Sequence, residues 1–328
     1  MKKYILYLFF SLIVPLIGAA FFYLNFYEEK SSAISSNMDY LVSSSGEKND
    51  IIFIGNSRMW VHVNPLVIED ITKLKGYNLG LDGSSIVYFR MAFYKYLENH
   101  TKPQFIVINA DFMGFDTDFE VYNFPEYIPY FEDKVVANNI IPYYKKYGTY
   151  FSRLVERLRQ INAKPDPIKL KSISKSFKNN SSKVFHPDIN RGFVFSNARW
   201  ESQEHIVNKY TAKSTPLGIN MLREILKTSK ERGIKVILVC APLYKDFHNV
   251  VVNYAALRDT IQNVANDYQV PYWVYSDVYL SDSTLYFYNI EHMNQTGANI
   301  YSQMLGNDIL NYLADSTYAP DMDNRRKR

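Results

Sequence analysis

Short apolar runs and longer amphipathic stretches alternate along much of this chain, and their order predicts its elements. Asp50-Ile51-Ile52-Phe53-Ile54-Gly55-Asn56-Ser57-Arg58 holds an uninterrupted apolar run closed by Gly55, the pattern of a short buried strand. Asn64-Pro65 opens a short helix to about residue 73, with Asn as N-cap and Pro in the first turn. Tyr77-Asn78-Leu79-Gly80 reads as a second strand ending in a turn. Gly83-Ser84-Ser85 leads into a helix to about residue 99, with Ile86, Phe89, Phe93 and Leu97 on one face. Phe105-Ile106-Val107-Ile108-Asn109 is a third strand. The alternation stops after Asp111 and resumes at Pro216. A helix at 217–232 closed by Gly233, a strand at 235–241, a helix at 253–268, a strand at 270–274 and a helix at 298–314 then follow. Strands apolar throughout, alternating with amphipathic helices, predict an α/β fold with a parallel sheet covered on both faces.

The remaining segments break this rhythm. Met1-Lys2-Lys3 precedes an uncharged apolar stretch from Tyr4 to about Phe26, and about 20 such residues span a bilayer. The expectation is an N-terminal transmembrane anchor at 1–30, with Lys2 and Lys3 on the cytoplasmic side and the main domain outside. Gly18-Ala19-Ala20 offers a signal peptidase small residues, so cleavage to a secreted form is the alternative. The Ser-rich stretch 31–49 reads as a tether, with one helical turn near residues 38–42. An aromatic-rich insertion spans 112–214, with an amphipathic helix at 149–161. Its lysines Lys169, Lys171, Lys175, Lys178 and Lys183 read as a solvated basic loop rather than a lipid or glycan contact. The tail at 315–328 is polar, basic and expected to be disordered.

Composition narrows the function. Charged residues are 21% and hydrophobic residues 47% of the 328, enough apolar material for a core. A formal net charge of +4 is too small to argue for nucleic acid. The single cysteine, Cys240, excludes an internal disulfide and a multi-cysteine zinc site, and its apolar setting reads as a buried thiol. Nothing in the pattern calls for a cofactor or a metal.

Nucleophilic acyl chemistry needs an exposed hydroxyl, a base to take its proton, and donors for the oxyanion. Ser57 follows a strand and a glycine turn, where a side chain projects into the crevice at the carboxyl edge of a parallel sheet. Of the six histidines, His292 lies between the last strand and the last helix, at that same edge. His62 follows the serine turn too closely to face it, and His100, His186, His205 and His248 read as surface residues. Gly80 and Asn109 end the second and third strands and are the candidate oxyanion donors, beside the Ser57 N–H.

This ordered set resembles the SGNH hydrolases, also called the GDSL esterase and lipase family. Gly55-Asn56-Ser57-Arg58 resembles the first block, Tyr77-Asn78-Leu79-Gly80 the second, and His292-Met293-Asn294-x-x-Gly297 the last. Asn109-Ala110-Asp111 lies where the third is expected and lacks its glycine. The resemblance covers about 50–111 and 216–314, leaving the insertion outside it. It implies a three-layer flavodoxin-like sandwich over 50–314 and a Ser–His–Asp site acting on acyl esters.

The resemblance places the triad acid three residues before the histidine, and Asn289 stands there. Three arrangements fit. A backbone carbonyl orients His292 in a Ser57–His292 dyad; Glu291, Asp282 or Asp277 replaces the acid; or the site is degenerate. Tyr143, Tyr144 and Tyr147 of the insertion are the candidate substrate wall, since tyrosine faces suit sugar rings and acyl chains.

Membrane-anchored branches of the family acylate envelope polymers. The expected function is therefore a bacterial envelope esterase or O-acyltransferase acting on an acylated glycan or surface polymer, with a multi-span acyl-donor protein as an implied partner. A degenerate binding protein of the same fold is the alternative.

Overall fold

The computed structural model describes residues 33–43, 47–118, 121–122, 124–144, 190–200 and 209–326. In chain order its elements are α1 (Ala33–Val42), β1 (Ile51–Ile54), α2 (Ser57–His62), α3 (Pro65–Thr72), β2 (Gly76–Asn78), α4 (Ile86–Asn99) and β3 (Phe105–Asn109). Then come α5 (Lys134–Tyr144), α6 (Pro216–Glu231), β4 (Lys235–Cys240), α7 (Tyr254–Tyr268), β5 (Tyr272–Val274), α8 (Gln295–Ala314) and α9 (Met322–Arg325).

The strands pair in parallel in the order β2-β1-β3-β4-β5, the order that flavodoxin-like sheets share. Side chains alternate across the sheet. Ile52, Ile54, Ile106, Ile108, Val236 and Leu238 face one layer, with Phe89 and Phe93 of α4, Leu222 and Ile225 of α6 and Ile261 of α7. Ile51, Phe53, Phe105, Val107, Ile237 and Val239 face the other, with Met59 of α2, Ile68 of α3 and Leu305 and Ile309 of α8. Fully burying a side chain of this size contributes about 1.5–3 kcal/mol, so the runs are apolar at every position because both sheet faces are covered.

Local chemistry sets the helix starts. The Asn64 and Thr215 side chains accept from the N–H groups of Leu66 and Gly218, each ahead of a proline in the first turn. The second strand ends at Asn78, earlier than expected, and the Asn78 side-chain amide donates to the carbonyls of Met59 and Val63 at 2.8 and 2.7 Å.

Three expectations change. The stretch taken as a tether forms α1, whose Met38 and Leu41 are fully buried. Asn37 Nδ2 donates to the Gly80 carbonyl at 2.8 Å, and the Tyr40 ring stacks on Tyr77. His100 is buried, not a surface residue, with Nε2 3.0 Å from the Tyr40 carbonyl oxygen. The insertion belongs to the core where it is described, since Phe112, Phe115, Phe124, Tyr127, Val136, Ile140, Phe193 and Val194 are all buried.

The tail through 326 is latched rather than disordered. Arg325 Nη1 and Nη2 donate to the fully buried Asp308 carboxylate at 2.5 and 2.6 Å, and the Tyr275 and Tyr318 hydroxyls complete its shell at 2.6 and 2.7 Å.

The expected anchor at 1–30, the helix at 149–161, the lysine run, Tyr147, His186 and His205 lie outside the described residues. Among the described residues no helix is long and apolar enough to cross a membrane.

Candidate active site

The site begins where β1 ends. Gly55 is required there because a Cβ would fall 2.5 Å from Met59 Cβ and 2.8 Å from Asn109 Cβ. Asn56 then turns the chain into α2, its side-chain oxygen accepting from the Arg58 N–H at 3.1 Å. Ser57 thus occupies the first helical position, at the rim of the sheet.

The other half comes from the segment before α8. Phe287 and Met293 bridge antiparallel, and the Tyr288 N–H donates to the His292 carbonyl at 2.9 Å, so 287–293 is a tight loop. Asn289 sits within it and accepts the N–H groups of Glu291 and His292 at 2.9 and 2.7 Å. Asn294 closes it as the N-cap of α8, accepting from the Gly297 N–H at 3.1 Å.

These two pieces meet. His292 Nε2 lies 2.8 Å from Ser57 Oγ, and His292 Nδ1 lies 3.1 Å from Asn289 Oδ1. Ser57, Asn289 and His292 are therefore in line, with a side-chain oxygen in the orienting position. Asn289, which stands where the resemblance places the acid, thus meets the histidine through its amide oxygen. Glu291 instead turns to Arg58, and Asp277 pairs with Arg258 and Arg326. Asp282 approaches Lys245 at 3.9 Å.

His62 contributes from beneath. It is fully buried, its Nε2 accepts the Met293 N–H at 3.0 Å, and its ring stands edge-on to His292 at 6.3 Å. Burial, then the neighbouring His292 and Arg58, push its pKa well below the ordinary histidine range, so it is neutral at pH 7. The sequence correctly keeps His62 from facing Ser57, but its support of the His292 loop is visible only once residues 62 and 293 are neighbours.

Arg58 is a second group that sequence reasoning missed. Its side chain is 1% exposed, with Nε and Nη2 on the two Asp111 oxygens at 2.5 and 2.9 Å and Nη1 on Glu291 Oε2 at 3.0 Å. Its guanidinium also lies over the Phe112 ring at 5.0 Å. Burial opposes the Asp111 charge, but the Arg58 charge and hydrogen bonds from Arg58, the Met113 N–H and Asn109 outweigh it. They hold that carboxyl below its usual range.

Two of the three expected oxyanion donors have partners within the fold. Asn109 is fully buried, and its Nδ2 donates to Asn56 Oδ1 at 3.0 Å and to Asp111 Oδ2 at 2.6 Å, so both hydrogens are engaged. The Gly80 N–H donates to Asn78 Oδ1 at 2.8 Å, and Gly80 is there because a Cβ would lie 2.4 Å from Trp60 N. The Ser57 N–H, in the first turn of α2, has no acceptor among the described residues. Neither has the N–H of the exposed Gly83, in the turn after Gly80. Burial, then the charges of the adjacent Asp82 and of Glu291, raise the Tyr288 hydroxyl pKa.

Of the tyrosines expected as a substrate wall, only the Tyr143 side chain is described. Tyr143 packs against the core beside Arg90 and Glu224, residues of α4 and α6, and not at Ser57. The Tyr144 side chain and Tyr147 lie outside what is described. The aromatics that do border the His292 loop are Tyr288, stacked on the imidazole at 5.6 Å and 12°, and Tyr244, whose N–H donates to the Ile290 carbonyl at 3.3 Å. Trp200 packs on Tyr244 with ring centroids 4.8 Å apart. No group of three His, Cys, Asp or Glu among the described residues is placed to hold a metal ion. Cys240 is buried beside the Tyr254 hydroxyl, and burial raises its thiol to about 12.

No family model matches this chain, and no curated protein matches it. Among solved structures, a GDSL-like lipase from Bacteroides thetaiotaomicron is 12% identical, covering 85% of this chain and 100% of its own, at a TM-score of 0.39. A protein described as an acylhydrolase, from Bacteroides fragilis, is 15% identical over 84% of this chain and 98% of its own, at 0.39. One described as a lipolytic protein of the G-D-S-L family, from Desulfitobacterium hafniense, is 10% identical over 79% and 99%, at 0.39. Likenesses this distant do not establish a family for the chain.

Proposed function

We propose that this chain is a serine esterase or O-acyltransferase of the SGNH kind. The observation that carries the reading is the 2.8 Å contact of Ser57 Oγ with His292 Nε2, backed by Asn289 Oδ1 at Nδ1. A hydroxyl within hydrogen-bond reach of an oriented imidazole is the minimum for general-base activation. Ser57 attacks the ester carbonyl, His292 takes its proton and returns it to the departing alcohol, and an acyl-enzyme results. The Ser57 N–H, in the first turn of α2, is a donor for the oxyanion. Water or a sugar hydroxyl then takes the acyl group.

The substrate we propose is an acyl ester of an envelope or extracellular glycan, met outside the cytoplasmic membrane by a domain held through residues 1–30. The apolar stretch ahead of α1 supports the anchor, and the aromatic rim of Tyr288, Tyr244 and Trp200 supports a sugar. A multi-span acyl donor belongs to the transferase form of this reading.

The engagement of the Asn109 amide and the Gly80 N–H within the fold favours a second reading, a glycan- or protein-binding domain without catalysis. Hydrolysis of a short-chain aryl ester separates the two. The catalytic reading expects turnover that Ser57→Ala abolishes; equal slow rates in both proteins, with folding matched, would leave the binding reading.

A further inference from the structure

The acid of a serine triad has two duties. It orients the imidazole, and its charge stabilises the imidazolium that forms when the serine gives up its proton. Asn289 performs the first through Oδ1 but carries no charge.

A surplus of negative charge is built next to His292 instead. Asp111 gives both oxygens to Arg58, whose remaining nitrogen holds Glu291, the residue before His292. Two carboxylates thus share one guanidinium, and the cluster keeps one net negative charge. The Arg58 and Asp111 side chains are each 1% exposed and neutralise one another, while Glu291 is 30% exposed and carries the excess.

The other groups around His292 do not compete with it. Tyr288 is neutral, its hydroxyl raised by burial and then by Asp82 and Glu291. His62 is neutral for the reasons given above. Ser57 and Asn289 carry no charge, and Asp82, whose charge reaches Tyr288, is exposed. Tyr210, beside Glu291 and Arg58, is raised to about 12 by burial and Glu291 and is neutral as well.

We propose that Glu291, held in place by Arg58, supplies the His292 imidazolium with the electrostatic support that Asn289 lacks, dividing the duties of one acid between two residues. This rests on the reading of Ser57 and His292 as nucleophile and base. Glu291 acts through His292 and does not touch the reacting atoms. As Oγ bonds to the acyl carbon, the hydroxyl proton passes to Nε2 and the carbonyl electron pair moves to oxygen. On collapse the alcohol leaves and takes the proton from Nε2. The positive charge exists only between those events, and Glu291, the residue before His292, is held on Arg58 throughout.

The test is a titration of the His292 ring by NMR in the full chain and in Glu291→Gln, Glu291→Asp, Asn289→Asp and the Asn289→Asp/Glu291→Gln double variant. The rate at which a fluorophosphonate labels Ser57 is followed across pH in each. Glu291→Gln keeps the Arg58–Asp111 pair and is expected to lower the His292 pKa by about half a unit or more and to slow labelling at pH 7 about threefold or more. Glu291→Asp is expected to restore both, and Asn289→Asp to raise the pKa and shrink the effect of Glu291→Gln. An unchanged His292 pKa in folded Glu291→Gln overturns the inference. A shifted pKa in a protein whose serine never labels upholds the charge relationship and instead removes the nucleophile reading.

Discussion

Asn289 presents its Oδ1, not its amino group, to Nδ1 of His292 at 3.1 Å. The assignment is fixed by chemistry, because the same atom accepts the N–H groups of Glu291 and His292, and an N–H cannot be satisfied by an amino group. Nδ1 therefore carries the ring proton and Nε2 meets Ser57 Oγ as a lone pair. In a serine protease, asparagine in place of the acid leaves the wrong tautomer and lowers kcat by about 10⁴. Here two backbone donors prevent the flip that produces that error.

Removing Oδ1 is expected to release both the ring and the loop. Asn289→Ala should lower ester turnover or serine labelling by about 10²-fold, at the lower end of what a positioned general base contributes. Steady-state kinetics with a short aryl ester, at matched folding, measure it. Retention of wild-type rates would show that the tautomer is set elsewhere.

The helix ahead of the sheet should matter as much as any core helix. Met38→Ala or Leu41→Ala each remove a fully buried side chain of α1 and should cost about 2–5 kcal/mol in urea unfolding. Asn37→Ala strips the Gly80 carbonyl of its buried partner and should cost about 1–3 kcal/mol. A truncated chain beginning at residue 50 that unfolds like the full chain would contradict this.

Acid should weaken the fold through His62. Its folded pKa lies far below the unfolded value of about 6.5, with burial the largest cause. The unfolded chain then binds more protons between those values, so stability is complete above about pH 6.5 and falls as the pH drops through that window. His100, lowered chiefly by burial, acts in the same direction. Urea midpoints at pH 7.5 and 5.5 should differ less in His62→Gln, where an amide oxygen can still accept the Met293 N–H. Equal pH dependence in both proteins would contradict the assignment.

The carboxyl-terminal latch gives a separate stability prediction. Arg325→Ala leaves the Asp308 carboxylate buried with only two tyrosine hydroxyls. The loss should be about 3 kcal/mol, the low end for breaking a buried ion pair, since the Arg325 side chain is 22% exposed. Thermal unfolding checks it, and an unchanged midpoint would mean that the tail frays in solution.

The sheet and its helices were legible because the central strands are near-continuous apolar runs and each long helix begins at a capping residue or a proline. Ser57 and His292 were legible because both stand where a strand has just ended or a helix is about to start. The Ser-rich run forms α1 because Met38 and Leu41, three apart, find a groove beside α4 that the local sequence does not announce. Arg58, Asp111 and Glu291 do not announce in the sequence that they meet, and Glu291 reads only as one candidate for the missing acid. Only the meeting of positions 53 and 233 residues apart makes them a buried cluster. Asn109, at the end of β3, and Gly80, two residues past β2, show the converse: they are engaged by Asn56, Asp111 and Asn78, which only side-chain geometry reveals.

The most direct test of the central claim is covalent labelling of the folded chain by a fluorophosphonate, read by intact mass and peptide mapping, with an active serine esterase labelled alongside. The expected result is one adduct, on Ser57, absent in Ser57→Ala and slowed at least about 10²-fold in His292→Ala. No adduct on the folded chain while the control enzyme labels, or an adduct on another residue, would contradict it.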